Sequence, residues 1–206
     1  MAEIPGAPVS ASIQRVIDAA ARKGVSLDVR AFDDSTHTAE EAAAMVGVSL
    51  GQIVKSLVFV APHEDGGLEP FVCLVSGPNR VDMDRLAAVL SEPDIRRATA
   101  REAHELTGFP IGGIPPFGHA RPIRIVMDPD LGRFPIVWAA AGTATAVFGV
   151  PPAALASLAN AHLAPIAVDS PSADAQPESG STDSAPPDVP SGGSSVAGST
   201  PSNAAV

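Results

Sequence analysis

The chain reads as an α+β protein: a mixed, largely closed β-sheet or barrel flanked by helices. Two observations predict this class. Helical and strand periodicities alternate irregularly along the first 167 residues, with no repeated strand-helix-strand unit of the kind that builds a doubly wound sheet. A hydrophobic content of 45% over 206 residues is also enough for one real core.

The first helix is expected from about Ser12 to Lys23, because Ile13, Val16, Ile17 and Ala20 recur on one face and Gly24 supplies a stop. A strand follows over residues 27 to 32. Thr38 and Glu41 then form a capping box that opens a helix ending at Gly47. Residues Ile53 to Ala61 and Glu69 to Ser76 read as strands, and Gly77-Pro78-Asn79 turns the chain into a helix over Asp82 to Leu90. Thr99 and Glu102 repeat the capping box for a helix stopped by Gly108. Beyond a loop from Phe109 to Pro122 come three short apolar segments, Ile123 to Met127, Pro135 to Ala140 and Thr145 to Val150. A last helix runs from Pro152 to about Asn160.

From Val168 the chain is almost wholly Ser, Pro, Gly, Ala and Asp, too poor in apolar residues to offset the entropy of ordering. Residues 1 to 167 are therefore expected to be the working domain and 168 to 206 a disordered acidic tail. That tail holds five acids and no Lys or Arg, so the −10 formal charge of the chain leaves 13 basic against 18 acidic groups in the domain. Such a balance excludes non-specific nucleic-acid binding, DNA included, but not a local basic rim gripping one RNA end. Candidates for that rim are Arg22, Lys23, Arg80, Arg121 and Arg124. No run of about 18 apolar residues and no basic, apolar leader occur, which predicts a cytoplasmic protein without a membrane partner.

Three features carry potential chemistry. Lys55 interrupts the apolar strand IVKSLVFVA, as does Ser56, and shares a face with Ile53, Leu57 and Phe59 by alternation. A lysine there either meets a wet cleft or counter-charge, or snorkels to solvent. Residues Gly108 to His119 hold four glycines and three prolines among apolar residues, a rigid loop with amides that a ligand can approach, or an apolar surface turn. Ala141-Gly142-Thr143-Ala144-Thr145 is a tight bend. His37, His63, His104, His119 and His162 show no metal-ligand spacing with each other or with Cys73, itself a small core residue; no metal and no cofactor are called for. No nucleophile elbow is present, and His37 and His119 read as hydrogen-bonded surface histidines.

Four blocks, THTAEEAA (36 to 43), GQIVKSLVFV (51 to 60), TGFPIGGIPPFGH (107 to 119) and VWAAAGTATAVF (137 to 148), together resemble the YbaK-type aminoacyl-tRNA deacylases. These are relatives of the editing insertion domain of bacterial prolyl-tRNA synthetase. The resemblance implies a pocket that takes the acylated 3′ end of transfer RNA and hydrolyses the ester of small amino acids such as Ala, Ser, Thr or Cys, with an aminoacyl-tRNA synthetase as a further candidate partner. It gives catalytic roles to Lys55, Gly112 and Gly113, with Lys55 anchoring the terminal nucleotide and the loop amides facing the scissile carbonyl. It places Ile114, Pro115, Pro116, Gly118, His119, Gly142, Thr143, Thr36 and His37 against the substrate, although His119 stands where some members have Gln and inherits no catalytic role. A non-catalytic RNA- or synthetase-binding module and a hydrolase of another small ester remain the alternatives.

Overall fold

The computed structural model describes residues 10–32 and 38–168. Helix α1 (Ala11–Ala21) starts where the Ser10 hydroxyl accepts the Ile13 N–H at 3.3 Å, and buries Val16 and Ala20. It unwinds through Gly24, whose φ of 75° lets Val25 N–H reach back to the Ala20 carbonyl at 3.1 Å. Strand β1 (Val29–Ala31) is short; helix α2 (Ala39–Val46) has the expected Thr38–Glu41 capping box and ends at Gly47 with φ 79°. Strands β2 (Val54–Pro62) and β3 (Leu68–Ser76) form a long antiparallel hairpin with Leu57 opposite Cys73. Then come α3 (Met83–Leu90), capped by Asp82, β4 (Arg96–Arg97) and α4 (Ala100–Thr107), with the Thr99–Glu102 box and the Gly108 stop in place. Strands β5 (Arg124–Met127), β6 (Val137–Ala140) and β7 (Ala146–Val150) precede α5 (Pro152–Ala159) and β8 (His162–Leu163).

These strands make two sheets. One is three-stranded in the order β1-β7-β6, the other five-stranded in the order β4-β2-β3-β5-β8, where β5 runs parallel to both β3 and β8. The five-stranded sheet is covered on both faces, which accounts for the unbroken apolar character of β2 and β3. Val54, Val58, Val72 and Leu74 meet Phe109, Ala139 and Phe148 on one side; Phe59, Phe71 and Cys73 meet Leu86 and Leu90 of α3 on the other. The carboxylate of Asp128, 3% exposed, ties the chain end to this sheet by accepting the N–H groups of Ile166 at 2.9 Å and Ala167 at 2.7 Å. Val168 N–H still reaches the Arg80 carbonyl at 2.9 Å, so ordered pairing runs one residue past the expected boundary.

The mixed α+β class holds, but the β-structure is not one closed barrel. Among the described residues, the backbones of the two sheets pair only at one parallel bridge, between Ile53 and Trp138. Beyond it, the edge of β2 that faces away from β3 pairs with β4 only at Phe59 and Val60. The stretch from Val54 to Leu57 is left without a second strand, and that gap is where the cavity described next opens.

Candidate active site

The gap forms a cavity of about 220 Å³. Its floor is β2 from Ile53 to Val58, one wall is Thr38, Ala39 and Ala42 at the start of α2, and another is Trp138 and Ala140 of β6 with Ala146 and Val147 of β7. The glycine-rich loop contributes Ile111, Gly112 and Ile114, the bend after β6 contributes Thr143, and β4 contributes Arg97. Lys55 and the loop thus face one space, though they are more than 50 positions apart.

Lys55 is half-buried and donates a hydrogen bond from Nζ to the Asn79 carbonyl, while the Asn79 amide donates to Asp130 Oδ2 at 2.8 Å. Among the described residues no carboxylate lies within ion-pair distance of it. Burial holds its pKa below the usual lysine value; Glu40 opposes that shift, and Arg97 and Arg80 add to it. The remaining ammonium protons are free for a ligand. Next to it in sequence, the Ser56 hydroxyl is buried with no hydrogen-bond partner.

Gly112 takes φ 83°, and its amide and that of Ile114 have no backbone acceptor among the described residues. Gly113 differs from expectation. Its N–H is taken by the Pro110 carbonyl at 3.0 Å, so it is no donor for a substrate. Its contribution is steric: a β-carbon there would lie 2.6 Å from Thr143 Cα and 2.7 Å from the Thr143 carbonyl carbon.

Several residues expected against the substrate shape the loop from behind instead. Pro115 and Pro116 are buried and do not line the cavity. Gly118, with φ 80°, packs on Ala19 and Arg15 of α1, and Gly142, with φ 101°, on Ser12. The His119 ring bonds the Pro115 carbonyl at 2.9 Å, meets the Phe109 ring edge-on at 6.2 Å, and with Gly118 borders a separate hollow beside Arg22, Lys23 and Arg121. Their orientation follows from the apolar face of α1, which the loop must cover. Of the cavity residues expected from sequence, the structure gathers Lys55, Gly112, Ile114 and Thr143. Thr36 and His37 lie outside the described residues. Arg97 was not anticipated, since a two-residue strand leaves no alternation to read. Among the described residues no cluster of three metal-ligating side chains occurs, and no helix is long and apolar enough to cross a membrane.

A sheet gap bordered by a lysine and a glycine loop is the candidate site, and comparison with known proteins gives the family. The aminoacyl-tRNA editing domain family matches residues 33–158, and the chain belongs to this YbaK-type family. It is accordingly an aminoacyl-tRNA deacylase, a hydrolase of the ester bond. Protein YwhH of Bacillus subtilis (strain 168), named as uncharacterized, is 32% identical over 125 residues, covering 61% of this chain and 76% of that one. The proline–tRNA ligase of Nitratidesulfovibrio vulgaris (strain DP4) is 36% identical over 95 residues, which is 46% of this chain but only 16% of the ligase. Among solved structures, a candidate trans-editing enzyme for prolyl-tRNA synthetase superposes with TM-score 0.71 at 44% identity, covering 78% of this chain and 99% of its own. The hypothetical protein APE2540 gives TM-score 0.68 at 28% identity, over 75% and 99% of the two chains.

Burial of His119 pulls its pKa down from 6.5 to about 4, against the Pro115 carbonyl bond and with help from Arg15. The unfolded chain therefore binds a proton that the folded one refuses, and stability, complete above about pH 6.5, falls as pH drops toward about 4. The slope contributed is at most about 1.4 kcal/mol per pH unit. Urea unfolding across this window should show that slope flattened in His119→Gln; identical pH profiles for both proteins would refute the assignment.

Proposed function

We propose that the chain is a trans-editing enzyme of the cytoplasm that removes small amino acids, Ala, Ser, Thr or Cys, from wrongly charged transfer RNA. The observation that carries this reading is the cavity shared by Lys55 and Gly112, an aperture in the sheet with apolar walls of short side chains. At about 220 Å³ it falls below the roughly 300–1,000 Å³ of pockets for drug-sized ligands, which suits an aminoacyl group with the nucleotide left at the mouth.

In this mechanism the ester carbonyl oxygen points to the open amides of Gly112 and Ile114, which stabilise the negative charge that develops on it. Lys55 orients the terminal ribose. Water attacks the carbonyl carbon, the bond from that carbon to the ribose oxygen breaks, and the proton passes from the water to the departing oxygen. An aminoacyl ester is activated already, so positioning and a fixed oxyanion site account for the rate without a covalent nucleophile. A second sieve of this size complements a synthetase that cannot fully exclude smaller amino acids. The editing domain extends through Val168, and residues beyond it are dispensable for catalysis.

Purified protein incubated with a panel of mischarged transfer RNAs should release one or more small amino acids, and Lys55→Ala should lower kcat/KM about 100-fold, or ~2.7 kcal/mol of transition-state stabilisation. No release from any member of the panel overturns the reading; release undiminished in Lys55→Ala overturns the role of the lysine. A chain cut after Val168 is expected to keep wild-type melting temperature and hydrolysis, and a loss of either would assign the tail a part in the domain.

A further inference from the structure

Of the described residues lining the cavity, two are charged, and both are cations: Lys55 and Arg97. In an acidic chain this is an imbalance. Arg96, the adjacent residue, shows the ordinary solution, a bidentate pair with Glu102 at 2.7 and 2.9 Å. Arg85, Arg101, Arg124 and Arg133 also have acidic partners. Arg97 has no carboxylate within 4.0 Å among the described residues, and neither has Lys55.

Their placement follows from the ladder. Arg97 stands opposite Phe59, so the two share a face of the sheet, and alternation puts Lys55 on the same face four residues back, about 13 Å along the strand. The Arg97 guanidinium lies 5.6 Å from the Phe59 ring centre, which steadies it without neutralising it. Both residues line the same cavity, where burial lowers the Lys55 pKa, Glu40 opposes that shift and Arg97 adds to it. Two partly desolvated cations without a carboxylate partner are relieved by a bound anion.

Resting on the deacylase reading, the charges of the substrate single out that anion. Its amino-acid carboxyl is tied up in the ester and its α-amino group is cationic, so the anionic groups at the RNA end are phosphodiesters. We propose that Arg97, together with Lys55, binds the phosphodiester on the 5′ side of the terminal adenosine, fixing how deeply the acylated ribose enters the cavity.

This contact is made before and during hydrolysis alike, so its loss acts on binding. Arg97→Gln is expected to raise KM for mischarged transfer RNA about tenfold with kcat within about twofold of wild type, and to flatten the slope of log KM against log salt by about 0.7, one phosphate contact on a single strand. Calorimetric titration isolates the anion: wild-type protein should bind 5′-AMP at least about tenfold tighter than adenosine, a preference that Arg97→Gln abolishes and Arg97→Lys partly restores. Equal binding of AMP and adenosine by the wild type, or an unchanged AMP affinity in Arg97→Gln, overturns the proposal. Inorganic phosphate binding as tightly as AMP would make this a free-phosphate site and overturn the assignment to RNA. If AMP binding depends on Arg97 while no mischarged RNA is hydrolysed, the anion site stands and the deacylase reading falls.

Discussion

The backbone of Gly113 lies against that of Thr143 at a distance that no β-carbon could occupy. Through this contact the glycine-rich loop, which follows α4, locks onto the bend between β6 and β7, and the two together become one wall. Buried prolines at 115 and 116 and the packing of Gly118 on α1 hold the loop from its other side. The result is a rim whose backbone is fixed before any ligand arrives, as an oxyanion site requires. The cost is the chain entropy that glycine loses on folding, accepted here because only glycine permits the approach.

The opposite wall exists because a strand is missing. Had β2 been paired along its whole second edge, the sheet would have closed and filled its interior with side chains. Instead β4 stops after two residues, the bridge from Ile53 to Trp138 stands alone, and the intervening edge, with Lys55 on it, borders an open space. The chain carries a net charge of −10, while the two charged residues among the described ones that line the cavity are both cations. The proposed recognition of one RNA end, rather than of RNA in general, rests on that contrast.

Local chemistry made most of this legible in the sequence. Both Thr-x-x-Glu capping boxes and the Gly47 and Gly108 stops fall where the structure has them, because caps depend on a few neighbouring atoms. The apolar run of β2 rightly signalled burial on both faces and marked Lys55 and Ser56 as departures. Long-range geometry was not legible. Strands β4 and β8, two residues each, are created by their partners rather than by any pattern of their own, so Arg97 escaped notice with β4. Sequence also could not tell which loop residues face inward; the covering of α1 decided that, and it turned Gly118 and His119 away from the cavity.

The claim on which this account turns is that the acyl group sits between Lys55 and the Gly112 rim. A crystal structure with a 3′-deoxy-3′-alanylamido adenosine 5′-phosphate, whose amide resists hydrolysis, tests it directly. The account requires the alanyl methyl against the short side chains of β6 and β7, and the carbonyl oxygen within hydrogen-bond distance of the Gly112 or Ile114 amide. Finding the alanyl group instead in the hollow beside His119, or out in solvent with the cavity empty, would contradict it.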